Sequence, residues 1–303
     1  MFRAFNPKVF RLGYVALETA DIGKARAHYA DLIGMTETGR GDDGEIYLSV
    51  GFDHHEIVLR KAEQKSLIHV GYQLNPGTDL KEFAVSISGY GLKAEIKSDA
   101  QPGVAQLVEV EAPGKSVLQF YTDIEAPAPG FVSKGCSPLR LGHFAVVTDE
   151  ADKMRQFYEE FLGFRKTDDL GGFAHFYTCN REHHTINIVD RPESWLHHIA
   201  FELRDNGYHA VACDALRAGG VPMKWGPARH GPGHNYAGYH TDPDNNIIET
   251  FTEIDIYVPE LDMCEARPWH EYYPMRPKSW APEDGLCAWG TEYNYDFGLV
   301  PLE

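Results

Sequence analysis

The sequence predicts an α+β protein of four β-α-β-β-β modules, two per domain, followed by an aromatic C-terminal tail. Three observations carry this prediction. The segment LGYVALETADIGKARAHYADLIGM from Leu12 aligns without a gap on LGHFAVVTDEADKMRQFYEEFLGF from Leu141, an offset of 129 residues. The same offset lays His54-His55 on His183-His184 and His69 on His198, and an offset of 130 lays VLQFYTDIE on IIETFTEID. A shorter unit also repeats inside each half. It opens on an apolar, strand-like stretch at residues 14–17, 69–72, 143–146 and 198–201. An amphipathic stretch follows each opening and ends in Gly plus an apolar residue: Gly34-Met35, Gly91-Leu92, Gly163-Phe164 and Gly220-Val221. Glycine there suits the left-handed turn that stops a helix.

The remaining elements follow in order. EIYLSVG and EIVLR in the first half, and AHFYTC and TINIV in the second, read as further strands. Two modules can close one curved sheet around a central cleft. The domains are expected at 1–126 and 139–255, with a Pro/Gly-containing linker at 127–138 and an extension at 256–303. The extension carries Trp269, Tyr272, Tyr273, Trp280, Trp289, Tyr293 and Tyr295 among many prolines. So aromatic a segment has much apolar area to bury. It is expected to wrap the second domain or a neighbouring subunit, and to close one wall of a pocket there.

Composition narrows the function. Hydrophobic residues make up 43% of the 303 and charged residues 24%, as in a water-soluble globular protein. No apolar run approaches the ~20 residues of a membrane span. The N-terminus lacks the pattern of a signal peptide, so a cytoplasmic protein is expected. The five cysteines are widely spaced, without a CxxC pair, and read as reduced thiols. A net charge of −17 argues against nucleic acid and anionic membranes as partners. A homo-oligomer is expected from the strand edges and the aromatic tail.

The two copies differ where chemistry matters. The second holds His143, His198 and Glu249 at positions that in the first are Tyr14, His69 and Gln119. His143 and His198 head equivalent strands, Glu249 lies on the last strand, and all three can point into one cleft. Two imidazoles and one carboxylate suit Fe(II) and leave coordination positions open for substrate and O2; Mn(II) accepts the same set. Phenol and amide ligate such an ion poorly. On this reading Gln119→Glu is expected to change little.

At this point residues 10–255 resemble the two-domain extradiol ring-cleavage dioxygenases of the vicinal oxygen chelate superfamily, which are similar to catechol 2,3-dioxygenase. The resemblance rests on LGHFAVV, on REHHTINIV followed by WLHHIAFEL, and on ARHGPGHNYAGYHTDPDNNIIETFTE. It implies tandem glyoxalase/bleomycin-resistance-like half-barrels and an iron site of His143, His198 and Glu249. It implies His184 beside O2, with His230 and Tyr239 facing a bound catechol. The implied reaction cuts the ring next to the diol, giving a semialdehyde or keto acid in aromatic catabolism.

Elementary chemistry agrees with these roles. A histidine can hold or release a proton near neutral pH, so His184 is assigned as acid/base on the oxygen side. Tyr239 can hydrogen-bond a substrate hydroxyl, with His230 as its polar partner. Strand neighbours face opposite ways, so one of His183 and His184 enters the cleft, and His197 points away from the metal. His234 is a candidate pocket residue. Arg229 is expected to be a solvated loop residue, with a substrate carboxylate as its alternative partner. Two rival functions stand beside the dioxygenase: another metal-dependent enzyme of the superfamily, of glyoxalase or epimerase type, and a binding protein without turnover.

Overall fold

In a computed structural model of the chain, residues 4–293 are described; Tyr295 and the rest of the tail beyond Tyr293 lie outside them. The first half supplies β1 (Val9–Thr19), α1 (Ile22–Ala27), β2 (Thr36–Arg40), β3 (Ile46–Ser49), β4 (Ile57–Lys61), β5 (Ser66–Leu74), α2 (Leu80–Tyr90), β6 (Ala94–Gln101), β7 (Val104–Ala112) and β8 (Ser116–Tyr121). They form one eight-stranded sheet, ordered β2-β3-β4-β1-β5-β8-β7-β6. The second half repeats the plan with β9 (Arg140–Thr148), α3 (Ala151–Gln156), β10 (Arg165–Leu170), β11 (Ala174–Thr178), β12 (Ile186–Asp190), β13 (Trp195–Glu202), α4 (Asn206–Ala218), β14 (Trp225–Arg229), β15 (Tyr236–Thr241) and β16 (Ile247–Thr252). The two modules of each half meet at an antiparallel seam, β1 on β5 and β9 on β13.

Alternation along the seam strands sorts side chains between two faces. Val15 and Leu17 of β1, with Phe144 and Val146 of β9, face a continuous apolar core that also takes Ala25, Ile87, Met154 and Leu216 from the four helices. Tyr14 and His143 face the other way, into the cleft of their own sheet. Tyr29 reaches across to Asp242 at 3.0 Å and Tyr72 meets Tyr158 at 3.2 Å, so polar contacts also tie the halves together.

The four expected glycines are all left-handed, Gly34 at φ 97°, Gly91 at φ 100°, Gly163 at φ 79° and Gly220 at φ 77°. A Cβ on Gly34 would collide with the Lys134 carbonyl at 2.0 Å, because the linker crosses this helix end. One feature escapes the sequence pattern. α1 and α3 each run into a π-helical turn, His28–Ile33 and Phe157–Phe161. The widened turn lets adjacent Tyr29 and Ala30 both pack inward.

The extension docks on the second sheet. β17 (Tyr257–Val258) and β18 (Met263–Cys264) form a small hairpin, and β19 (Ser279–Trp280) adds a parallel strand beside β10. α5 (Pro282–Gly285) follows. No helix among the described residues is long and apolar enough to cross a membrane.

The first cleft is closed by its own side chains. The Tyr14 ring stacks on Tyr121 at 5.4 Å, and its hydroxyl donates to Gln119 Oε1 at 2.7 Å. Gln119 Nε2 donates in turn to Glu109 Oε2 at 2.8 Å. Gly71 makes room for the Tyr14 ring, 2.3 Å from where a Cβ would lie; its equivalent in the second half is Ala200. This revises the expectation that Gln119→Glu is neutral. The variant replaces the Gln119–Glu109 hydrogen bond by two facing carboxylates, and a cost on the order of 1–3 kcal/mol is expected. Thermal unfolding should show the loss as a lowered Tm, with metal content unchanged.

Candidate active site and metal centre

His143 and His198 are each the fourth residue of β9 and β13, not the first, because pairing starts earlier, at Arg140↔Glu202 for β9 and at Trp195↔Val147 for β13. Glu249 is the third residue of β16, which lies parallel to β13. The three side chains converge. His143 Nε2 and His198 Nε2 lie 3.2 and 3.3 Å from the same oxygen, Glu249 Oε2. All three residues are buried, His143 and Glu249 to 1% exposure.

The donor set fits a divalent ion. His198 Nε2 is buried yet has no hydrogen-bond partner, a costly state for a polar atom that a metal would relieve. The other faces of two ligands are held in place. Asn235 Nδ2 donates to Glu249 Oε1 at 2.7 Å, leaving Oε2 for the centre. His198 Nδ1 contacts His197 Nδ1 at 2.7 Å, and such a partner orients a ligating imidazole. Burial acts to raise the Glu249 carboxyl, but His143, His230 and Tyr239 together outweigh this and hold the group below the usual carboxylate range. Burial, then neighbouring imidazoles, hold His198 and His184 well below the ordinary histidine value. Both rings are therefore neutral at physiological pH, the form that can offer a lone pair.

Around the centre lies a cavity of about 290 Å³. Side chains from β10 and from β15 line it together, although these strands are far apart in the sheet, so the sheet curls around it. His184, His230 and Tyr239 all border it. The His184 ring lies 4.3 Å from that of His143. His230 Nδ1 faces the Leu286 carbonyl at 2.8 Å, and a carbonyl only accepts, so this nitrogen carries the hydrogen. Burial lowers His230 and keeps the ring neutral, which leaves Nε2 to accept from the Tyr239 hydroxyl at 2.9 Å. Burial and then the Glu249 carboxylate push the Tyr239 phenol well above its ordinary value, so it stays protonated. Gly285, Leu286 and Tyr293 of the extension form one wall.

Several sequence-derived assignments change. His234 does not line the cavity: its Nδ1 contacts Asp255 Oδ2 at 2.8 Å, and His270 Nε2 contacts Asp255 Oδ1 at 2.7 Å. These three form the second His/carboxylate cluster among the described residues. Hydrogen-bond accounting argues against a metal there. The Arg267 backbone N–H donates to His270 Nδ1 at 3.1 Å, so His270 Nε2 carries the hydrogen and donates to Asp255. The cluster reads as a clamp between the extension and the domain. His197 borders the cavity instead of turning away, because a bulge between Leu196 and His198 breaks strict alternation. Arg229 is neither solvated nor in the cavity: it is buried, paired with Glu253 at 2.7 Å and 4.7 Å from the centre of the Trp269 ring.

Of the adjacent histidines, His184 enters the cavity and His183 turns to Asp168 at 3.1 Å. Asn235 and the apolar wall of Leu170, Phe173, Phe176 and Val189 were not singled out from sequence. Only the Asn beside the RHG-containing loop carried a signal, and nothing local marked it as a partner of Glu249.

Residues 140–250 match the model of the Glyoxalase/Bleomycin resistance protein/Dioxygenase superfamily. Metapyrocatechase of Pseudomonas sp. (strain CF600) is 25% identical over 296 residues, spanning 91% of this chain and 92% of its own. Over nearly its whole length the chain is similar to extradiol dioxygenases, and residues 140–250 carry the superfamily's domain. Solved structures share the fold of this chain at lower identity. A 2,3-dioxygenase from Pseudomonas sp. KL28 superposes with a TM-score of 0.81 at 22% identity, covering 93% of this chain and all of that one. An Mn(II)-bound glyoxalase from Novosphingobium aromaticivorans gives 0.83 at 23%, covering 94% and 92%.

Proposed function

We propose that the second domain holds Fe(II) on His143, His198 and Glu249 and cleaves an apolar-substituted catechol beside its diol with O2. The product is a ring-opened semialdehyde or keto acid, and the setting is aromatic catabolism. One observation carries the reading: two imidazole nitrogens converge on a single buried carboxylate oxygen at the floor of a cavity bordered by His184, His230 and Tyr239. Such a triad with open positions suits Fe(II) oxygen chemistry. An iron held by His143, His198 and Glu249 would supply charge neutralisation for an ionised diol and electronic coupling between the diol and O2.

The protein groups divide the remaining work. Tyr239 and His230, already hydrogen-bonded to each other, orient a diol oxygen and hold its proton. His184, neutral and beside His143, holds or releases a proton where oxygen is consumed. Leu170, Phe173, Phe176, Val189 and Leu286 exclude water and pack the ring substituent. No Lys or Arg is among the described residues lining the cavity. A carboxylate on the substrate would be buried without a partner, at a cost on the order of 2–3 kcal/mol or ~100-fold in kcat/KM.

A substrate panel with anaerobically iron-loaded enzyme tests this. Alkyl- and aryl-catechols should consume one O2 per ring and give a yellow product, and carboxylated catechols should trail by about that factor. The glyoxalase-type rival predicts turnover of a hemithioacetal without O2 uptake. Seeing that, with catechols inert, would end the dioxygenase reading.

A further inference from the structure

We infer that Asp168 is a positioning residue: acting through His183, it determines which ring nitrogen of His184 carries the proton. The consequence for turnover rests on the proposed function, whereas the proton arrangement follows from donors and acceptors alone. His183 Nε2 lies 3.1 Å from Asp168 Oδ2. That oxygen also accepts from Trp280 Nε1 at 2.7 Å, and Oδ1 accepts from the Lys278 backbone N–H at 2.9 Å. A carboxylate placed among N–H donors is an acceptor, so His183 Nε2 supplies an N–H of its own. A His183 ring with a single hydrogen, spent on Asp168, offers a lone pair at Nδ1. His183 Nδ1 faces His184 Nδ1 at 3.0 Å, and one proton must lie between them. It sits on His184 Nδ1. His184 Nε2, the nitrogen left for the cavity, is thereby a base that can take one proton and return it.

The sister domain supplies an internal comparison. His54 and His55 make the same Nδ1···Nδ1 contact at 3.0 Å. The position equivalent to Asp168 is Gly39. Gly39 pairs with Tyr47 and Asp168 with Phe176, each just after an equivalent bulge. A Cβ at Gly39 would lie 3.7 Å from His54 Nε2, so a side chain there would point at the ring. Backbone and histidine pair are therefore retained in both copies. The carboxylate is present in the copy that has the metal-ligand set and missing from the copy that lacks it. Trp280 and Lys278 belong to the extension, so the segment that walls the cavity also seats Asp168.

The test is the tautomer of His184, read from long-range proton–nitrogen correlation spectra of the full chain. The protein is labelled with nitrogen-15 histidine and loaded with Zn(II), which is diamagnetic. His183→Gln and His184→Gln identify the peaks. Wild-type His184 is expected to show a protonated Nδ1 and a bare Nε2. Asp168→Gly, which copies the sister domain, is expected to average between tautomers, while Trp280→Phe keeps the wild-type pattern because the acceptor remains. In the iron-loaded enzyme, Asp168→Gly should lower kcat ~10–100-fold, as for residues that orient a functional imidazole. Catechol KM should stay within about twofold. A wild-type His184 with bare Nδ1 and protonated Nε2 overturns the inference, whether or not any variant folds. A wild-type pattern kept in Asp168→Gly overturns it too. The spectra need no turnover, so an inactive wild type would refute the proposed function and leave this reading standing.

Discussion

Glu249→Gln is expected to abolish turnover and empty the metal centre while the fold survives. Glu249 Oε1 accepts from Asn235, and Oε2 faces both imidazoles. A glutamine must keep its amide oxygen toward Asn235, because the alternative sets two NH2 groups against each other. The NH2 group then points at the metal position, where it offers hydrogens instead of a lone pair. The loss in kcat/KM should exceed the ~10–100-fold typical of a residue that merely supports a ligand. Circular dichroism should match the wild type, and metal analysis should find none bound after loading.

His184→Gln is expected to separate binding from chemistry. His184 is outside the three-residue ligand set, though its ring lies 4.3 Å from His143. Glutamine retains approximate length and hydrogen-bonding capacity but cannot cycle a proton near neutral pH. Metal content should be unchanged and kcat should fall ~10²–10⁴-fold, the usual worth of a positioned acid or base. Equal loss of metal in both variants would make His184 a ligand and invalidate its assigned role.

The module plan was legible because it is a repeat. Offsets of 129 and 130 residues align strands, helix stops and histidine pairs, and those alignments are what build two matching sheets. His143, His198 and Glu249 stood out because Tyr14 and Gln119 interrupt the pattern in the sister copy. What escaped depends on contacts between distant segments. Asn235 reaches Glu249 across 14 residues, and Asp168 meets Trp280 across 112, with no local pattern to announce either. His197 was misplaced because alternation presumes a regular ladder, and the bulge beside it breaks that rule. His234 and Arg229 sat in a loop-rich stretch whose surroundings come from the extension: His270 shares Asp255 with one, and Trp269 covers the other. A period-based reading cannot place an aperiodic tail. The expectation for Gln119→Glu is revised for a related reason, since Glu109 belongs to a neighbouring strand.

Two three-residue clusters among the described residues combine histidine with carboxylate, and the proposed metal lies in the first of them, His143, His198 and Glu249. Anomalous diffraction at the iron edge, from crystals loaded with Fe(II) without air, locates the ion directly. A single peak among His143, His198 and Glu249 is the predicted result. A peak at His234, Asp255 and His270 with the other site vacant, or no peak in either place, would contradict it.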